Sequence, residues 1–271
     1  MSRPERALIL GAGQGSRLLP LTEQLPKCLL DLGDGRSLLE WQLRGLMQAG
    51  IGEAVVVTGF RSDLVEQALQ RITPAGMTVR TLFNPFYKLA DNLASCWMAR
   101  AELQGPCLLL NGDTLFEPEI ARRLIDAPAA PITVTIDRKL RYDDDDMKVV
   151  TEGDALRAIG KVLPAARVNG ESIGFLRFDA AGAAQFVDEI DRTMRTPEGP
   201  GLWYLSAIHR LANAGADVRA ASIEGLQWTE LDFPADLTRA RALASAWRQT
   251  DAGAADAACA TPSRAGAATM A

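Results

Sequence analysis

One stretch near the start of the chain has the residue types and spacing for phosphate chemistry. It reads Leu10-Gly11-Ala12-Gly13-Gln14-Gly15-Ser16-Arg17, and Leu25-Pro26-Lys27 follows. Alternate glycines let backbone N–H groups approach phosphate oxygens without obstruction by a Cβ. Arg17 can add a charge-assisted fork to a phosphate, and Lys27 a second positive charge on a chain returning to the same place. A plain strand–helix turn would explain the glycines alone, but not the spaced Arg17 and Lys27. The loop is not a P-loop, since GxxxxGK[ST] does not occur. Its third glycine is also misplaced for the GxGxxG dinucleotide fingerprint.

The elements that must position this loop alternate between strand and helix. Ala7–Leu10 is a short buried-strand run, and Leu38, Leu39, Leu43, Leu46 and Met47 recur at helical spacing up to Ala49-Gly50. Ala54–Val57 predicts a second strand stopped by Gly59. A helix over Asp63–Arg71, a strand over Val79–Phe83 and a helix over Leu93–Leu103 follow. Cys107–Leu110 predicts a fourth strand, ending in Asn111-Gly112-Asp113, and Ile132–Ile136 a fifth. This alternation favours an α/β fold, a mostly parallel, Rossmann-like sheet flanked by helices. Ligands of such sheets bind beyond the carboxyl ends of the strands, where the glycine loop and Asp113 both fall.

After Tyr142 the pattern changes. Met147–Thr151, Leu156–Ile159 and Ser172–Phe178 read as short strands with little helix between them, a small antiparallel extension for a second substrate. Helices return over Ala183–Arg195 and Leu202–Ala214, and a last one over Pro234–Trp247 begins with a proline whose missing N–H costs little there. The expected organisation is one domain over 1–248, with a nucleotide-binding part over about 1–140 and an acceptor-binding part over about 141–248. The Ala-rich segment 249–271 reads as a disordered tail.

Composition removes several function classes. The chain has 271 residues and a formal net charge of −5, which argues against a nucleic-acid surface but not against a locally basic pocket. Its four cysteines, Cys28, Cys96, Cys107 and Cys259, show no CxxC spacing, so zinc and disulfide frameworks are disfavoured and a reducing, cytoplasmic setting is expected. No stretch approaches the ~18 apolar residues of a membrane span. The single histidine, His209, makes Ser-His-Asp and Cys-His catalysis improbable; its helical surroundings give it a structural reading.

The GxGxGxR…PK pattern resembles the nucleotidyltransferases that include sugar-phosphate and phosphocholine nucleotidylyltransferases. The resemblance implies that Leu10, Gly11, Ala12, Gly13, Gly15 and Gly59 wrap the nucleotide with Arg17 and that Lys27 contacts the α-phosphate; Arg17 and Lys27 are the implied catalytic residues. It also implies that Asp113 touches the nucleotide and binds Mg²⁺, with Asp232 of Glu230-Leu231-Asp232 as the second ligand. Carboxylates suit that role, because Mg²⁺ prefers hard oxygens and usually takes one or two carboxylates plus phosphates. An ordinary helix-start acid is the plain alternative for Asp232.

Further likeness points to the phosphocholine cytidylyltransferase branch: Asn84-Pro85-Phe86-Tyr87 with Asn92 and Ser95, Met147-Lys148-Val149, Ile159-Gly160-Lys161 and Gly170-Glu171-Ser172-Ile173-Gly174. It implies CTP and a small phosphorylated or phosphonate acceptor as partners, and Tyr87, Asn92, Lys148, Lys161, Glu171, Trp203 and Tyr204 as acceptor-binding residues. In that branch acidic residues commonly follow such an aromatic pair; here Leu205 and Ser206 follow, which weakens the case for choline. Asp143–Asp146 reads as a solvated acidic run. The rival readings are a sugar-1-phosphate nucleotidyltransferase using CTP, UTP or GTP, a non-catalytic nucleotide-binding regulatory module and, more distantly, a dinucleotide-dependent dehydrogenase.

Overall fold

The computed structural model describes residues 3–259. Its strands are β1 (Arg6–Leu10), β2 (Glu53–Thr58), β3 (Thr78–Phe83), β4 (Cys107–Asn111), β5 (Thr114–Phe116), β6 (Ile132–Asp137), β7 (Lys148–Glu152), β8 (Ala155–Gly160), β9 (Gly170–Phe178), β10 (Val218–Ser222) and β11 (Trp228–Glu230). Its longer helices are α1 (Leu38–Gln48), α2 (Ser62–Ile72), α3 (Asn92–Met98), α4 (Pro118–Asp126), α5 (Ala180–Met194), α6 (Tyr204–Asn213) and α7 (Pro234–Cys259). A sheet of nine strands runs in the order β3-β2-β1-β4-β9-β6-β10-β8-β7, and β5 pairs with β11 beside it.

The parallel block β3-β2-β1-β4 fixes where a ligand can sit. Leu10 is in register with Val57 on one side and Asn111 on the other, so the three strands end at one edge. Period-two alternation then sorts the apolar residues between two layers. Leu8 of β1 packs in the layer that includes Leu93, Phe186 and Ile208 of α3, α5 and α6. Ala7 and Ile9 face the other layer with Leu43, Val65 and Ile120 of α1, α2 and α4.

Three departures from the sequence reading have physical causes. Ser172–Phe178, read as part of a peripheral extension, belongs to β9, which lies antiparallel between β4 and β6 in the middle of the sheet. All nine of its residues are buried, which suits a central strand better than a lobe; only β7 and β8 form the small antiparallel extension. The sequence reading lacks the short strands β5, β10 and β11, which carry little apolar signal, and the helix α4, whose opening Pro118 and buried Ile120, Ala121, Leu124 and Ile125 do form a plain helical pattern. The final helix α7 runs on to Cys259, past the boundary expected at residue 248, as alanine's high helix propensity allows; residues 260–271 lie outside the described residues.

Candidate active site

The glycine loop leaves the edge of the sheet after β1 and is held by its own polar atoms. The Thr22 hydroxyl donates to the Gly15 carbonyl at 2.7 Å, and Gln14 Nε2 donates to the Thr22 carbonyl at 3.2 Å. Gly15 sits at φ 76°, in the left-handed region where glycine is favoured. A Cβ there would lie 2.9 Å from Lys27 Cδ, so the bare backbone lets the lysine stem lie against the loop. Gly59 serves a second approach: a Cβ on it would come within 2.6 Å of both the Ala12 carbonyl oxygen and Tyr87 Cβ.

Asp113 stands in the turn between β4 and β5. Gln42 of α1 fastens both sides of that turn, donating from Nε2 to the carbonyls of Asn111 at 2.9 Å and Thr114 at 2.8 Å. Asp232 arrives from the far end of the sequence. Strand β11 pairs with β5, Glu230 opposite Thr114, and the Leu231 N–H donates to the Asp113 carbonyl at 3.0 Å. Asp236, in the first turn of α7, accepts from the backbone N–H groups of Asp232 at 3.0 Å and Phe233 at 2.7 Å, which fixes the segment carrying the carboxylate.

These elements bring three expected site residues into direct contact. Lys27 Nζ donates to Asp113 Oδ2 and to Asp232 Oδ1, both at 2.8 Å. Burial pulls the pKa of the ammonium down, but the two carboxylates outweigh it and hold the group above its ordinary range. Burial works against ionised Asp232 as well; the Lys27 charge outweighs it and keeps that carboxyl below its usual value. Asp113 Oδ1 is buried without a hydrogen-bond partner. Arg17 lies at the rim, 3.4 Å from Asp232 and 3.7 Å from Asp145, with its guanidinium 5.3 Å from the Phe233 ring centre.

Two adjoining cavities open along the glycine loop. One, of about 180 Å³, is lined by Gly11, Gly13, Gly15, Lys27, Asn111 and Asp113 among others. The next, of about 450 Å³, is lined by Leu10, Ala12, Gly13, Tyr87, Asn92 and Ser95 among others. Tyr87 and Asn92, expected on the acceptor side, thus share walls with the loop. Asn92 Oδ1 also accepts from the Tyr204 N–H at 2.9 Å.

A third cavity, of about 400 Å³, lies beyond Asp232 and is strongly acidic, with Asp143, Asp145, Asp146 and Glu171 in its wall beside Trp228 and Phe233. The run Asp143–Asp146 is therefore more than the solvated stretch read from sequence. Asp145 pairs with Arg17 and, at 3.5 Å, with Lys161; Asp146 and Glu171 share Lys139 at 2.8 and 2.9 Å. Burial pushes the Glu171 carboxyl up to about 7, with Lys139 opposing.

The remaining expected residues divide. Lys161 lies 4.8 Å from the ring centre of partly exposed Trp203, and neither residue lines the three cavities described above. Lys148 is buried and donates to the carbonyls of Asp143, Asp144 and Lys161, so its ammonium pins the acidic loop. Tyr204 points away from Trp203: it is fully buried, edge-on to Phe186 at 6.4 Å. Successive residues at a helix start face different ways, and the pair cannot form one aromatic wall. His209 is structural, as read: Nδ1 accepts from the Ile159 N–H at 3.2 Å, and Nε2 meets Asn213 at 2.9 Å.

Sequence reasoning passed over Glu230 as a site residue. Burial first, then the charges of Asp113 and Asp232, push its carboxyl up to about 8, with Lys27 opposing. The signal was present: Glu230 and Asp232 are two apart along an extended segment, the spacing that puts side chains on one face. Phe233 and Lys139 carried no comparable signal.

A strand-end glycine loop, a lysine and two converging carboxylates are the parts of a nucleotide-handling transferase. The description "Nucleotidyl transferase" belongs to the family model that matches residues 6–158, more than half of the chain, and the protein belongs to that family. The chain is 32% identical over 244 residues to the CMP-5'-(3-aminopropyl)phosphonate synthase of Streptomyces rubellomurinus, covering 88% of this chain and 38% of that relative's length. It is 23% identical over 252 residues to the CTP:phosphoglutamine cytidylyltransferase of Campylobacter jejuni, covering 85% of this chain and 97% of the relative. The solved CTP:phosphocholine cytidylyltransferase of Streptococcus pneumoniae shares the fold, with a TM-score of 0.72 at 21% identity over 89% of this chain and 99% of that one. Among the described residues, no helix is long and apolar enough to cross a membrane.

Proposed function

We propose that this protein transfers CMP from CTP to the phosphate or phosphonate oxygen of a small acceptor and releases pyrophosphate. The observation that carries the reading is the convergence of Lys27, Asp113 and Asp232 at the mouth of the glycine loop. Relatives that use CTP or make a CMP conjugate support the base and the reaction class.

In this reading the acceptor oxygen attacks the α-phosphorus in line. A new P–O bond forms, the bond from the α-phosphorus to the bridging oxygen breaks, and pyrophosphate leaves with the electron pair. The attacking oxygen is already anionic near neutral pH, so no general base is needed, in keeping with a lone histidine that is structural. Positioning and charge stabilisation then supply the rate. Lys27 stabilises charge growing on the α-phosphoryl group. Arg17 and the N–H groups of the glycine loop hold the departing pyrophosphate, and the Tyr87 side of the larger cavity takes the base.

The same two carboxylates suit a hard cation: both converge on one positive charge, and Asp113 keeps a buried, unpartnered oxygen. Among the described residues no group of three or more His, Cys, Asp or Glu side chains could hold a metal ion, so phosphates must complete any coordination, as Mg²⁺ commonly requires. Mg²⁺ held by Asp113 and Asp232 would supply charge neutralisation at the phosphates.

The acceptor's anionic end lies toward Lys161. An amino group at its other end fits the acidic cavity of Asp143, Asp145, Asp146 and Glu171. The test is a matrix of CTP, UTP, GTP and ATP against phosphocholine, aminoalkylphosphonates, phosphorylated amino acids and hexose 1-phosphates, read by pyrophosphate release and product mass. Turnover is expected with CTP and a small amino-bearing phosphate or phosphonate. A highest kcat/KM on a hexose 1-phosphate would reject this branch in favour of a sugar-phosphate enzyme, and no turnover anywhere would favour a regulatory module.

A further inference from the structure

The Lys27 ammonium sits where a metal ion would have to sit to meet both carboxylates. It makes two charge-assisted hydrogen bonds of 2.8 Å, with its side chain 14% exposed. We propose that Lys27 is the resident cation of the Asp113–Asp232 pair in the nucleotide-free protein, so that a divalent ion competes with the ammonium for both carboxylates and binds well only together with nucleotide. This rests on the reading of Asp113 and Asp232 as metal ligands.

Geometry and charge carry the argument. The proposed transfer needs Lys27 at the α-phosphate, yet its ammonium is turned onto the two acids. Its stem lies against the bare backbone of Gly15, which leaves the end of the side chain as the part free to swing. The adjoining cavity of about 180 Å³ has Lys27, the glycines and Asp113 in its wall, so the ammonium has room to turn toward the loop without leaving the site. A divalent ion arriving alone would have to break both ion pairs and leave the lysine without an anion, and buried charge without a partner is costly. A triphosphate changes the balance by giving the displaced ammonium a new anionic partner. Metal and nucleotide must then favour each other's binding reciprocally.

The experiment uses Mn²⁺ as the probe, without nucleotide, read by the electron paramagnetic resonance of free Mn²⁺. The proteins are wild type, Lys27→Met, Lys27→Arg, and Lys27→Met combined with Asp113→Asn. Lys27→Met should bind Mn²⁺ about tenfold tighter than wild type or more, within the roughly 5- to 150-fold range of typical coupling. Lys27→Arg keeps a competing charge and should stay near wild type, and Asp113→Asn should cancel the gain. Equal affinity in wild type and Lys27→Met, with binding still weakened by Asp113→Asn, overturns the exchange while leaving the carboxylate site standing. If Asp113→Asn has no effect in the Lys27→Met background, the assignment of the metal ligands falls and the exchange falls with it. Should Lys27→Met fail to fold, wild-type protein decides through the ¹H–¹⁵N signals of its lysine ammonium groups. One protected Nζ signal should move when Mg²⁺ and a non-reactive CTP analogue are added together and hold when Mg²⁺ is added alone. A signal that stays put with both ligands bound overturns the proposal.

Discussion

Replacing Gly13 by alanine separates what the fold needs from what the ligand needs. A Cβ at this position would meet no atom within 4 Å, and its φ lies outside the left-handed region. The protein alone therefore has no reason to reject the methyl group. Alanine should stabilise the fold by about 0.4–1 kcal/mol, because it narrows the unfolded ensemble. For a chain of this size that is an unchanged Tm or a rise of about 1–4 °C. The open space beside Gly13 is, in the proposed reading, where triphosphate oxygens approach the backbone. A methyl group forced into a filled site costs roughly 1–3 kcal/mol. That converts to a loss of about 5- to 150-fold in CTP affinity. Circular dichroism melts and the KM for CTP test the two halves separately. An unchanged KM would refute a nucleotide over Gly13, and a Tm lowered by several degrees would show that the residue is there for the fold. Gly15→Ala is the contrasting control. At φ 76°, with Lys27 Cδ 2.9 Å from the new Cβ, it should cost about 1–2 kcal/mol of stability and lower kcat by displacing the lysine.

Lys27→Ala should lower kcat by roughly 10²–10³, the scale for one preorganised charge stabiliser, with the far-ultraviolet spectrum unchanged; near wild-type turnover would remove Lys27 from the chemistry. Asp113→Asn and Asp232→Asn should each raise the Mg²⁺ concentration needed for half-maximal rate and lower that rate, since a neutral amide is a poorer ligand for a hard cation; full activity at an unchanged Mg²⁺ demand would clear that residue. Glu171 gives a pH signature. Its carboxyl rises from 4.5 to about 7 on folding, so between those values the native protein holds a proton that the unfolded chain has released. Stability from this group is present below the window and falls as pH rises through it. Glu171→Gln should flatten that fall in Tm; a parallel decline in both proteins would assign the pH dependence elsewhere.

The nucleotide half of the site was legible because its signals are local. Gly11, Gly13, Gly15, Arg17 and Lys27 fall within one short segment, and Asp113 ends an unmistakable apolar strand. The α/β alternation of the first half, β1 to β4 with α1 to α3, follows from runs whose period is plain. The second half was read less well because its structure depends on partners distant in sequence. Nothing within Gly170–Phe178 announces that it will insert between β4 and β6, since a segment that mixes Glu171, Ser172 and Arg177 with its apolar residues suits an edge hairpin as well as a central strand. Trp203 and Tyr204 are adjacent and read in sequence as one aromatic pair, although a helix start sends one to solvent and the other to the core. Lys148 could be counted only as a charge; its capture by three carbonyls is a property of the folded loop.

The separation of these signals bears on what is shared and what is particular. The contacts of Lys27 span 86 residues to Asp113 and 205 to Asp232, so the charged centre exists only when both ends of the domain are folded together. The family match covers residues 6–158 and therefore holds the glycine loop, Lys27 and Asp113, the parts that the proposed reading gives to the nucleoside triphosphate. Asp232, Lys161, Glu171 and Trp203 all lie beyond it. In this protein Lys161 lies 4.8 Å from the ring centre of partly exposed Trp203 and 3.5 Å from Asp145, at the margin of the acidic cavity around Glu171. A quaternary amine held in an aromatic cage would want the opposite arrangement, with the ring face free of competing cations. In the proposed reading, the acceptor's anionic head is therefore set toward Lys161 and its amino end toward the carboxylates of the acidic cavity.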